Sequence, residues 1–146
     1  MAANTLPIFI RTPQTEWGAT DGNGGAAGPL KTANTAKDGT GTVLTVFTAD
    51  ATEGSFVFKV IARAVGTNTT SVLRIFLNNG STNATLANNS LIAELNMAGT
   101  TLSETTAQPD YEKELNIALP AGYKINVTLG TTVAAGVQVS CTGGKY

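Results

Sequence analysis

The sequence predicts an all-β fold: one β-sandwich domain, jelly-roll-like, with about eight strands and a flexible N-terminal arm. Short runs in which apolar and polar residues alternate recur from residue 42 to the C-terminus, as expected of strands with one buried face. Glycine, asparagine and proline separate these runs roughly every eight to twelve residues. A chain of 146 residues is long enough to bury a substantial core as a single domain.

The chain divides into an N-terminal arm, residues 1–29, and a sandwich domain, residues 30–146. Residues 4–12 contain the apolar stretch LPIFI, in which Pro7 restricts any strand to a sheet edge. Residues 18–28 are mostly glycine and alanine, a composition typical of a flexible loop or arm. This segment is either a plain linker or an extension toward a partner.

Residues 55–79 are the densest apolar stretch, and we predict that they form the central β-hairpin, with its turn at residues 66–70. Because side chains alternate across a strand, one set shares the face that we assign to the core. That set is Phe56, Phe58, Val60, Ala62 and Ala64.

The second face of this hairpin mixes cationic and apolar side chains. Two interpretations remain open: the long lysine and arginine stems simply cover apolar surface, or the face is an interface, where arginine and aromatic residues are enriched. The candidate interface residues are Lys59, Ile61, Arg63, Arg74 and Phe76.

Further strands are predicted at residues 42–49, 90–97, 111–119, 123–129 and 134–142. Residues 90–97 fit a helix or a strand, and their alternation favours a strand. Residues 111–119 alternate as well, although a helix remains open for them. Residues 100–106 are a candidate for one more short strand.

Composition excludes several classes of function. Charged residues make up only 13% and the net charge is −1, so no basic surface indicates a nucleic acid or a membrane as partner. Histidine is absent, and with it the commonest general base and metal ligand. The single cysteine, Cys141, has no partner for an intrachain disulfide and fits a buried position. The N-terminus lacks the features of an export signal, so we expect a protein that is made in the cytosol.

No catalytic or cofactor site is predicted. Glu112 and Glu114 alternate onto one strand face, but they flank a lysine in a stretch that we expect to be solvated. Asp21 and Asn23 resemble the start of a calcium loop whose later ligands are missing. A sugar-binding platform is a further alternative, drawn from scattered aromatic residues: Trp17, Tyr111, Tyr123 and Tyr146. We therefore predict no enzymatic activity, no metal and no cofactor.

Three stretches of the sequence resemble capsid decoration, or cement, proteins of tailed bacteriophages. They are residues 32–49, TANTAKDGTGTVLTVFTA, residues 73–83, LRIFLNNGSTN, and residues 119–146, which end in VQVSCTGGKY. The resemblance implies a virion structural protein, often trimeric, that binds the outside of the shell. Its partners would be the major capsid protein and further copies of itself. The alternatives are a tail, collar or fibre-associated β-domain, and a carbohydrate-binding module.

Overall fold

The fold is seen in a computed structural model that describes residues 10–17 and 28–146. As predicted, it is all-β, with eight strands and one short 3-10 helix, Leu86–Asn88, in the described part. The strands are β1 (Thr12–Trp17), β2 (Leu44–Thr48), β3 (Ser55–Ala64), β4 (Ser71–Asn78), β5 (Asn89–Met97), β6 (Asp110–Leu119), β7 (Lys124–Leu129) and β8 (Val137–Lys145).

The strands form two antiparallel four-stranded sheets. Sheet A has the order β1, β8, β3, β6, and sheet B has the order β2, β7, β4, β5. Successive strands always lie in different sheets, except for β4 and β5, which pair side by side. This is the eight-stranded, two-sheet arrangement of a jelly roll. The predicted single-domain β-sandwich is therefore confirmed.

The predicted hairpin of residues 55–79 is wrong. Both of its strands exist, but β3 lies in sheet A and β4 in sheet B, so the intervening residues carry the chain across the sandwich. Alternation indicates which face of a strand is buried, but it does not indicate which strand is its hydrogen-bonded neighbour. The connection is also longer than the two-residue turn that specifies a tight hairpin.

The predicted core face of β3 is also partly wrong. Val57 is fully buried and Phe58 is 45% exposed, the reverse of the prediction. A β-bulge between Val57 and Lys59 adds a residue to β3 relative to β8 and shifts the alternation by one position. Beyond the bulge, Val60, Ala62 and Ala64 face the core as predicted.

The core lies between the two sheets and includes Phe47 of β2, which is fully buried. Gly143 of β8 faces this ring, and a Cβ there would lie 3.1 Å from two ring atoms and would collide with the Phe56 carbonyl. Glycine is therefore required at position 143, because any larger residue would collide with the Phe56 carbonyl and crowd the Phe47 ring. Cys141 is buried on the same strand, as predicted.

The outer face of sheet B is covered by the segment 30–43, which we call the covering loop. It is anchored by hydrogen bonds from the Asn34 N–H to the Leu129 carbonyl (2.8 Å) and from the Asn83 side chain to the Gly41 carbonyl (2.7 Å). Gly39 packs so closely on Phe76 that a Cβ would lie 3.0 Å from the ring. Phe76, Asn126 and Thr128 are consequently buried although they face outward from sheet B.

Other predicted segments have mixed outcomes. Residues 90–97 and 111–119 are strands, as favoured, since β5 and β6 occupy them. Residues 100–106 do not form a strand; Thr100 makes only an isolated bridge to Asn68. Most of the predicted edge strand at residues 4–12, most of the glycine-rich segment, and the calcium-like Asp21 and Asn23 lie outside the described residues.

The turn between β2 and β3 is organised by Asp50. Its carboxylate accepts hydrogen bonds from the N–H groups of Glu53 (3.0 Å) and Thr52 (2.9 Å) and from Nζ of Lys145 (3.0 Å). These donors stabilise the charged form and lower the pKa of Asp50 from 3.8 to about 2. The contact with Lys145 also joins the turn to β8 of sheet A.

Asp50 should therefore make stability depend on pH in acid. Its folded-state pKa is lowered, so its stabilising contribution is complete above pH 3.8 and is lost as the pH falls toward about 2. In Asp50→Asn the melting temperature should vary less over that interval than in the wild type. Thermal unfolding followed by circular dichroism at a series of pH values checks this; parallel curves for the two proteins would contradict it.

Candidate interaction surfaces

The five predicted interface residues do not share one surface. Lys59, Ile61 and Arg63 lie on the outer face of sheet A, on β3. Arg74 and Phe76 lie on the outer face of sheet B, on β4. The prediction that they face away from the core is met in both strands, but the two groups lie on opposite sides of the sandwich.

On sheet A the two cations are paired with carboxylates of the neighbouring edge strand β6. Lys59 Nζ lies 2.9 Å from Glu112 Oε2, and Arg63 Nη2 lies 2.8 Å from Asp110 Oδ1. Exposed pairs of this kind contribute about 0–1 kcal/mol to stability. Their main effect here is to place charged groups of both signs along one border of the sheet.

Two aromatic rings occupy the same outer face beside these ion pairs. Phe56 and Phe58 contact edge to face, with ring centroids 5.2 Å apart. Phe58 is 45% exposed, and Ile61, further along the outer face of β3, is half-buried. Phe56, Phe58 and Ile61 together are called the Phe58 patch below. Exposed aromatic side chains bordered by charged groups are typical of protein contact surfaces.

On sheet B the predicted residues are largely covered. Phe76 is only 1% exposed because the covering loop lies over it, so it is not part of an accessible surface. The Arg74 side chain is 15% exposed, and its Nε donates to Glu94 Oε1 at 2.9 Å.

Arg74 also lines a cleft of about 530 Å³ where β4 begins and β5 and β7 end. We call it the Arg74 cleft. The residues that matter for its chemistry are Lys37, Val72, Arg74, Met97, Tyr111 and Gly130. It thus combines two cationic side chains with an apolar wall.

The residues considered as alternatives for catalysis and sugar binding do not form one site among the described side chains. Glu112 is engaged by Lys59. Tyr111 and Tyr123 both pack against the core, and the Tyr111 hydroxyl accepts a hydrogen bond from the Ala98 N–H at 3.0 Å. The side chain of Trp17 lies outside the described part of the chain.

Within residues 10–17 and 28–146, no three His, Cys, Asp or Glu side chains are grouped closely enough to hold a metal ion. In the same residues, no helix has the length and apolar character needed to cross a membrane. No family model matches the chain, and neither a curated protein nor a solved structure matches it significantly.

Two features of these surfaces were missed by sequence reasoning. The two aromatic members of the Phe58 patch, Phe56 and Phe58, were assigned to the core, because a β-bulge has no distinctive sequence signal when it lacks glycine. The Arg74 cleft joins residues from β4, β5, β6 and the covering loop, which are distant in the chain. Only the unusual presence of an arginine within the apolar run of β4 indicated this site.

Proposed function

We propose that this protein is a virion structural protein that binds the outside of a bacteriophage capsid and stabilises the shell. The observation that carries the proposal is the Phe58 patch on the outer face of sheet A. Exposed aromatic side chains cost free energy in water, and their burial against a partner recovers about 25 cal/mol for each Å² removed from solvent.

The jelly-roll arrangement supports this role, since it recurs in viral capsid proteins as well as in lectins and cupins. The three sequence stretches that resemble decoration proteins cover β2, the greater part of β4, and β7 with β8. The low charge of the chain supports it as well, because weakly charged surfaces associate readily.

Binding would depend on many weak contacts acting together. Each copy would bury its Phe58 patch against the major capsid protein, and the ion-paired border formed by Lys59, Arg63 and their carboxylate partners would fix its orientation. Association of copies into a trimer would present several patches at once, so that avidity exceeds the affinity of any single contact.

The first test is the oligomeric state and shell binding of the purified protein. Sedimentation velocity at micromolar concentration should show a trimer, and the protein should pellet with capsids assembled from the major capsid protein of the same phage. A monomer that stays in the supernatant would contradict the proposal. Labelling of particles at the tail, and not on the shell, would favour a tail, collar or fibre-associated domain.

A further inference from the structure

The Arg74 cleft has the composition of a site for an anion with an apolar stem. Lys37 and Arg74 supply positive charge, while Val72, Met97 and Tyr111 form apolar wall. None of the described residues that line the cleft is acidic. The two cations come from different parts of the chain, the covering loop and β4, which meet only in the folded protein.

Arg74 retains hydrogen-bonding capacity after its contact with Glu94. Only Nε is used in that contact, and Nη1 is buried with no hydrogen-bond partner in the described structure. Both terminal nitrogens face Gly130, where a Cβ would lie 3.2 Å from Nη1 and 3.6 Å from Nη2. A buried donor without a partner is costly, so a small movement of the Arg74 side chain that brings Nη1 to an acceptor bound in the cleft would be favoured.

Lys37 is held in an unusual backbone conformation at the cleft. Its φ of 62° lies in the left-handed region, which is unfavourable for a residue with a β-carbon. Such strain is commonest at functional sites. Lys37 forms no ion pair with the described residues, and the carboxylate of the adjacent Asp38 accepts from the Thr40 hydroxyl (2.6 Å) and N–H (2.9 Å).

We propose that the Arg74 cleft binds the carboxylate of an acidic side chain presented by a partner protein. The terminal nitrogens of Arg74 and the ammonium of Lys37 would donate to the two carboxylate oxygens, a match of planar donor and planar acceptor. Val72, Met97 and the Tyr111 ring would contact the methylene groups of the same side chain. Glu94 offsets part of the positive charge, which suits a single carboxylate better than a phosphate dianion.

This inference does not depend on capsid binding, and a small probe tests it. The probe is N-acetyl-glutamic acid α-amide, with N-acetyl-glutamine amide as the uncharged isostere. Titration followed by ¹⁵N–¹H NMR should shift the amides of Ala98, Gly130 and Thr131, with at least about tenfold tighter binding of the acid than of the glutamine compound. Equal binding of the two compounds, or tighter binding of inorganic phosphate, would overturn the proposal.

Variants separate binding from folding. Arg74→Met should abolish the shifts, and Gly130→Ala should weaken binding by filling the space beside Nη1 without changing any charge; the φ of Gly130 is not left-handed, so alanine fits its backbone. Ser81→Ala, at an exposed position in the loop between β4 and β5 that does not line the cleft, is the control. If Arg74→Met and Gly130→Ala both bind the probe like the wild type, the proposal is wrong.

Lys37 gives a second, independent readout. Lys37→Gly should weaken binding of the probe yet raise the melting temperature by roughly 2–4 °C, because glycine relieves the left-handed strain. Lys31→Met is the control, since Lys31 is exposed in the same covering loop and does not line the cleft. Unchanged probe binding in Lys37→Gly would show that Lys37 is not part of the site, and this result would contradict the proposed pair of donors.

Discussion

Asn68→Ala is expected to lower the free energy of unfolding by about 3 kcal/mol, since several buried backbone groups lose their partner at once. The Asn68 side chain is buried in the connection between β3 and β4. Its Oδ1 accepts from the N–H groups of Ala135 (2.8 Å) and Gly136 (3.0 Å), and its Nδ2 donates to the Gly136 carbonyl at 2.8 Å. One side chain therefore fixes the loop between β7 and β8.

The same residue reaches a third loop. The Asn68 N–H and carbonyl pair with the Thr100 backbone at 3.1 and 2.9 Å, and the Thr100 hydroxyl donates to the Gly66 carbonyl at 2.7 Å. Three connections at one end of the sandwich are thus held together around Asn68. Their loosening should be visible as faster amide exchange in all three loops.

Thermal and urea unfolding measure the effect. A loss of about 3 kcal/mol should lower the melting temperature by roughly 10 °C in a chain of this size. Asn79→Ala is the control, because Asn79 is exposed and its bonds to Asn88 and Ser81 stay within one surface loop. If Asn68→Ala is as stable as Asn79→Ala, the proposed role of Asn68 in joining the loops is wrong.

Phe58→Ala is expected to weaken the proposed binding to the capsid shell by at least about 30-fold, the loss of about 2 kcal/mol typical of an aromatic contact residue. Several copies acting together would make the loss from an assembled trimer larger still. Stability should fall by only about 1–2 kcal/mol, because Phe58 is 45% exposed and its main aromatic contact is with Phe56. Co-sedimentation with capsids over a range of protein concentrations measures the change.

The control for this variant is Leu86→Ala. Leu86 is 60% exposed on the loop between β4 and β5, outside sheet A, so its removal takes away a similar amount of exposed apolar surface elsewhere. It should bind like the wild type. Equal losses in the two variants would show a nonspecific hydrophobic contribution, and no loss in Phe58→Ala would contradict the role of the patch.

The fold class was predictable because it depends on local patterns. Strands such as β7, in which Ile125, Val127 and Leu129 face the core, alternate cleanly, and the turns between strands are rich in glycine and asparagine. The partner of each strand was not predictable, because pairing is decided between distant segments. For this reason β3 and β4 were expected to pair and instead lie in opposite sheets.

The candidate surfaces were predictable only in part. Lys59, Ile61 and Arg63 face outward as the alternation predicts, since a charged side chain is rarely buried without a partner. Phe58 was assigned to the wrong face because the β-bulge beside it depends on pairing with β8. Phe76 faces outward yet is buried, because a polar segment far along the chain covers it.

The most direct test of the proposed function is cryo-electron microscopy of phage particles that contain this chain. The proposal predicts density for the eight-stranded sandwich on the outer surface of the shell, grouped in threes, with the Phe58 patch in contact with the major capsid protein. Density for the chain at the tail alone, or a shell contact that leaves the outer face of sheet A open to solvent, would contradict it.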